Sequence, residues 1–264
     1  MVGWVLLDLD GVIYRGDSPI EGSREAIESL NRNGFKTRYL TNNATLTGEE
    51  FGQKLARMGI RVRADDILTS GKAASMYLKE RKGQLLIYPV GSKALEFELR
   101  QQGHRIVDWR EAQAVVVCLD FNFDYAKLAN SSSAIRNGAL FVATNRDSVI
   151  PVEGGLIPGA GAIISAIEEA SGARAMSIGK PETEIFSIGS RIWGLSEKDA
   201  IVVGDRLDTD MALGNRIGAI TALVLTGFTS SSDVTLAKSS EEVPKYVFKN
   251  LRGFSESLIE GKIV

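Results

Sequence analysis

Asp8 and Asp10 stand two residues apart where an apolar run, Val2 to Leu7, gives way to Asp8-Leu9-Asp10-Gly11. If the run is a strand, residues i and i+2 share a face, so both carboxylates are presented together. Strand carboxyl ends border the ligand crevice of an open α/β sheet, which makes this a position for chemistry. Two neighbouring acids repel unless a cation or a shared proton relieves them. A solvated acidic turn accounts for the same four residues, and taken alone they do not choose. A second acidic group, Gly204-Asp205-Arg206-Leu207-Asp208-Thr209-Asp210, follows the apolar run Ala200 to Val203. In a parallel sheet both strand ends face one edge, so the acids near Asp8 and near Asp205 can converge on one hard cation. Magnesium suits such a set, because it prefers oxygen ligands and keeps several waters. A turn into a helix capped by Asp208 or Asp210 is the alternative.

Two further groups suit phosphate. Thr41-Asn42-Asn43 follows the apolar run Phe35 to Leu40, and Gly179-Lys180-Pro181 precedes a helical pattern. A hydroxyl and backbone N–H groups can hold phosphoryl oxygens, with a lysine as a compact charge opposite them. Singly, Thr41 could be a strand-end hydrogen bonder and Lys180 a solvated charge. Their joint order carries the information: acid pair, Thr, Lys, acid cluster, each at the edge of an apolar run or the mouth of a helix.

The elements that must position these groups read as an α/β protein with a largely parallel sheet. Strands are expected at Val2–Leu7, Phe35–Leu40, Leu85–Val90, Ala114–Leu119, Leu140–Ala143, Ala200–Val203 and Ala219–Leu225. Helical patterns lie between them: Arg24 to Arg32, stopped by Asn33-Gly34; a helix opened by the capping box Thr47-Gly-Glu-Glu50; Lys72–Lys82; Lys93–Gln102; Tyr125–Asn137; and one started by Pro181. The chain of 264 residues can bury one large core or two modest ones. With 31 basic and 33 acidic residues, no net charge points to a nucleic acid polymer or a membrane. No apolar run approaches the roughly 20 residues needed to cross a bilayer, and Met1 to Leu7 is too short for a secretory signal. A cytoplasmic location is the expectation. One Cys and one His nearly exclude a zinc site. His104 reads as a surface-turn residue after a helix, and Cys118, within Val115-Val-Val-Cys-Leu119, as a small buried hydrophobe.

In the order D-x-D, Thr, Lys and G-D-x-x-x-x-D, the sequence resembles the haloacid dehalogenase (HAD) superfamily. Over nearly its whole length it is similar to the NagD-like, 4-nitrophenylphosphatase-like branch. Leu6–Val12, Leu40-Thr-Asn-Asn43, Phe141–Asp147, Gly179-Lys-Pro181 and Val202–Asp210 carry the resemblance. Arg146 departs from it, standing where that branch often has proline. The resemblance implies a doubly wound, Rossmann-like parallel-sheet core, residues 1–79 and 179–264, with an inserted α/β cap domain at 80–178. It further implies a magnesium-dependent phosphatase in which Asp8 is the nucleophile and Asp10 the acid and base. Asp8, the Asp10 backbone carbonyl and Asp205 would bind the metal with Asp210 in support, and Thr41, Asn42, Asn43 and Lys180 the phosphate. Asn145, Arg146 and Asp147 are the candidates for substrate choice. The partner expected is a small phosphorylated metabolite, with a homodimer through the cap as relatives often form. A phosphotransferase or mutase on the same scaffold, and a phosphoacceptor signalling module, remain as alternatives. A receiver module is about half this length, with its phosphoacceptor on a middle strand.

Overall fold

A computed structural model describes residues 3–152, 155–237 and 239–263. Along the chain, β1 (Trp4–Leu7) leads through the short β2 (Tyr14–Arg15) and β3 (Ser18–Pro19) into α1 (Ser23–Arg32), β4 (Lys36–Thr41), α2 (Gly48–Arg57), β5 (Ile67–Thr69) and α3 (Ser70–Lys82). There follow β6 (Leu86–Val90), α4 (Lys93–Gln101), β7 (Arg105–Ile106), β8 (Ala114–Val117), α5 (Tyr125–Arg136) and β9 (Leu140–Ala143). Next come the hairpin β10 (Val149–Val152) and β11 (Gly155–Pro158), then α6 (Ala160–Ser171) and β12 (Met176–Ser177). The last elements are α7 (Thr183–Trp193), β13 (Ala200–Gly204), α8 (Ala212–Arg216), β14 (Ile220–Val224), β15 (Tyr246–Phe248) and α9 (Leu251–Ile259). Val2, expected to open the first strand, lies outside the described residues. The helix expected to start at Pro181 begins two residues later, at Thr183.

Contacts divide the chain into two compact units, Met1–Thr41 with Phe51–Ile67 and Gly189–Val264, and Asn42–Glu50 with Leu68–Ile188. These limits differ from the sequence boundaries at 79 and 179. Residues 42–50, 68–79 and 179–188 group with the inserted segment, in part because α3 packs on α4.

The first unit is built on a six-stranded sheet in the order β15-β14-β13-β1-β4-β5. β1 pairs in parallel with β4 and β13. Val5, Leu6 and Leu7 are all buried, so the run is continuously apolar instead of alternating, as a strand covered on both faces requires. Each such side chain contributes about 1.5–3 kcal/mol of burial. The α1 stripe of Ala26, Ile27 and Leu30 faces inward, and α1 packs on α9, which offers Leu251, Phe254 and Leu258. Gly34, at φ +86°, ends α1 in the left-handed conformation that the Asn33-Gly34 pair predicts.

The second unit carries a five-stranded sheet in the order β12-β9-β8-β6-β7, with parallel pairing throughout. α5 and α6 pack together against a core that includes Val115, Val117, Ile135, Phe141 and Ile164. The capping box forms as its spacing predicts: Thr47 N donates to Glu50 Oε2 at 2.7 Å, and Glu50 N to Thr47 Oγ1 at 3.2 Å. This sheet has its own reversal of strand order between β6 and β8, where Gly91 and Cys118 pack closely. A Cβ on Gly91 would run into the Cys118 thiol. Among the described residues, no helix is long and apolar enough to cross a membrane.

Candidate active site

In the first sheet β4 and β5 lie on one side of β1, while β13, β14 and β15 lie on the other. The strand order therefore reverses between β1 and β13, where doubly wound sheets bind ligands beyond the strand carboxyl ends. Leu7 pairs with Val203, and Asp8 N donates to Val203 O at 2.9 Å, which sets the Asp8 backbone beside the end of β13. One carboxylate oxygen from each of Asp8, Asp205 and Asp210 lies within 4.8 Å of the others. Asp205 and Asp210 are 4% and 1% exposed.

Backbone donors hold two of these carboxylates. Phe228 N donates to Asp205 Oδ2 at 2.6 Å, and Arg206 N to Asp210 Oδ2 at 3.2 Å. Glycine makes the crowding possible. At Gly11, where φ is +78°, a Cβ would strike the Asp205 carboxylate, and at Gly204 one would strike Asp210. Asp208 turns away and pairs with Arg206, whose Nη2 donates to Asp208 Oδ2 at 2.9 Å. Neither Asp208 nor Asp210 caps α8. Two like charges at this spacing repel by about 3 kcal/mol at an effective dielectric near 20. That is as much as burying a leucine gains, and three such pairs meet here. An all-oxygen set of this kind fits a hard divalent cation.

Asp10 sits past the end of β1, where the chain turns back at Gly11. The Tyr14 hydroxyl donates to Asp10 Oδ2 at 3.0 Å, and Gly11 N donates to Tyr14 O at 2.8 Å. Burial first, and the Asp10 charge second, push the Tyr14 phenol well above its ordinary pKa. Thr41 ends β4 and is buried.

The second unit gathers another group. Asn42, 6% exposed, donates from Nδ2 to Lys180 O at 2.9 Å and to Asp147 Oδ1 at 3.0 Å. Its carbonyl accepts from Ser70 Oγ at 2.6 Å and Asn145 Nδ2 at 2.7 Å. Asn145 also accepts from Asp147 N at 3.1 Å through Oδ1, so one amide ties the Asn42 and Asp147 backbones together. Asn43 Oδ1 accepts from Thr45 N at 2.9 Å, closing a local turn, and Lys180 is buried. Arg146 Nη2 donates to Glu168 Oε1 at 2.6 Å and to Ala175 O at 2.8 Å. The Arg146 hydrogen bond foremost, joined by the Ala175 N–H and Arg174, holds the Glu168 carboxyl down to about 2.

His104 is not the surface-turn residue its sequence neighbourhood suggests. It is 3% exposed, its Nδ1 accepts from Leu85 N at 3.1 Å, and its Nε2 lies 3.0 Å from Ser75 O. The Leu85 N–H must donate, so the ring proton sits on Nε2. Cys118 is wholly buried and burial pushes its thiol up to about 11, the state of an inert packing residue. Sequence reasoning did not find Tyr14, Ser70 or Glu168. Tyr14 alone left a trace, as a polar-tipped aromatic four residues after Asp10.

A model of haloacid dehalogenase-like hydrolases matches residues 5–105, and a HAD-hydrolase-like model matches residues 177–254. An acid sugar phosphatase of Staphylococcus haemolyticus is 37% identical over 246 residues, 93% of this chain and 92% of that protein. The solved p-nitrophenyl phosphatase from Archaeoglobus fulgidus superposes with a TM-score of 0.91 at 33% identity, covering 97% of this chain and 98% of its own. A glycerol phosphate phosphatase from Mycobacterium tuberculosis, in complex with magnesium, superposes with a TM-score of 0.89 at 31% identity, covering 96% of this chain and 77% of its own. With its doubly wound sheet and acidic strand ends, the chain belongs to the haloacid dehalogenase-like hydrolases. Within them it stands in the NagD-like, nitrophenylphosphatase-like branch, and it is a phosphatase.

Proposed function

We propose that this phosphatase hydrolyses small-molecule phosphomonoesters with magnesium, through an aspartyl-phosphate on Asp8. The convergence of Asp8, Asp205 and Asp210 at the reversal of strand order carries the reading. Magnesium, present in the Mycobacterium relative, would be held by the Asp8 carboxylate, the Asp10 carbonyl and Asp205, with Asp210 in support. It would supply the positive charge that lets an anionic nucleophile approach an anionic phosphate.

In the first step an Asp8 oxygen attacks phosphorus while the bond to the leaving alcohol breaks, and Asp10, as the acid, donates its proton to that oxygen. In the second, Asp10 as carboxylate takes a proton from water. The water oxygen attacks phosphorus, releasing phosphate and regenerating Asp8. Thr41, the Asn42 backbone N–H, Asn43 and Lys180 take the transferring phosphoryl oxygens, where charge spreads in a loose transition state. The inserted unit serves as a cap that limits water and selects small esters. Sugar phosphates and glycerol phosphate join phosphoglycolate, nucleoside monophosphates, pyridoxal phosphate and nitrophenyl phosphate as candidates. A cytoplasmic location and a homodimer through the cap complete the proposal.

The test is phosphate release from that panel with magnesium and with a chelator, for the wild type and Asp8→Asn. The wild type should turn over only with the metal. Asp8→Asn should lose the detectable rate while remaining folded by circular dichroism. Full activity of the variant overturns the nucleophile. Transfer to an added alcohol without phosphate release would make the protein a phosphotransferase.

A further inference from the structure

We propose that Tyr14 is a positioning residue for the acid–base carboxylate, engaging Oδ2 of Asp10 so that the proton to be transferred resides on Oδ1. The inference rests on the role given to Asp10 above.

The hydroxyl of Tyr14 donates to Asp10 Oδ2 at 3.0 Å. In a carboxylic acid the carbonyl-type oxygen is the better acceptor, so a phenol donating to Oδ2 favours the acid proton on the other oxygen. The ring cannot easily move. Tyr14 is fully buried, its backbone carbonyl accepts from Gly11 N at 2.8 Å, and its strand pairs Tyr14 with Pro19. Lys54 Nζ lies 4.2 Å from the ring centroid and 3.5 Å from Asp17 Oδ1, so a cation covers the ring face and is itself paired. A phenol held this way narrows the rotamers open to Asp10. An acid on an unconstrained side chain would have to find the leaving oxygen from several orientations, and well-oriented groups gain rate by avoiding that search.

The contribution should depend on the leaving group. An alkoxide needs a proton as it departs, whereas nitrophenolate leaves as an anion near neutral pH. Through kcat/KM, which covers steps up to alcohol departure, Tyr14→Phe should lose about tenfold on glycerol phosphate or the best alkyl ester of the panel. On nitrophenyl phosphate it should stay within about twofold, which also reports an intact fold. Equal losses on both esters, or no loss on either, overturn the proposal. A wild type inactive on both with magnesium overturns the phosphatase mechanism first, and this role with it.

Discussion

Asn42 donates from Nδ2 to Asp147 Oδ1 at 3.0 Å, joining residues 105 positions apart. The bond ties Asp147, a candidate from sequence for substrate choice, to the residue that follows β4. Asp147→Ala should therefore lower kcat/KM by a similar factor on every ester, about tenfold for a lost charged hydrogen bond. Asp147→Asn keeps an acceptor oxygen and should recover most of the rate. A changed order of preferred substrates in Asp147→Ala would return the residue to specificity. Steady-state kinetics on four or five esters decide between these outcomes.

Arg146 is committed to Glu168 and the Ala175 carbonyl. The pairing depresses the Glu168 carboxyl in the folded state. Its stability is thus present above the ordinary carboxyl range and lost as pH falls towards 2. Up to about 3 kcal/mol is linked to that titration, and Arg174, 87% exposed, adds little of it. Arg146→Ala should lower stability at pH 7 and flatten its fall between pH 5 and 2, leaving relative rates on different esters unchanged. Urea unfolding across that range, with the substrate panel at pH 7, tests both halves.

The three carboxylates predict a metal-linked stability. Removing one negative charge from the centre relieves repulsion in the metal-free protein while weakening its hold on the ion. Asp210→Asn, which retains an oxygen for the Arg206 N–H, should melt a few degrees higher than the wild type in chelator. Added magnesium should raise its melting temperature by less than the wild-type increment. Thermal melts over a magnesium titration measure both, and a lower metal-free melting temperature would contradict the repulsion.

Local pattern carried much of this protein. Continuous apolar runs marked β1, β8 and β13 because strands buried on both faces need no polar alternation. Thr47 and Glu50 announced their helix because a capping box lies within one turn. The family motifs supplied the order of acid pair, Thr, Lys and acid cluster. The short β5, β12 and β15 left no comparable signal, since two or three residues define no period. Nor did the exposed hairpin β10–β11.

Tertiary structure decided which polar groups meet. Asp208 and Asp210 are equally acidic in sequence, yet the turn after β13 sends Asp208 to Arg206 and packs Asp210 against Gly204. His104 is buried because Leu85 and Ser75, both distant in sequence, converge on its two nitrogens. Arg146 likewise finds Glu168, on a later helix, 22 positions away. The sequence by itself determined the elements and the chemistry at their ends, because hydrophobic period, capping and turn preference act over a few residues. Strand order and register determined the partners, because hydrogen bonds and charges act on distances that exist only once the sheets are assembled.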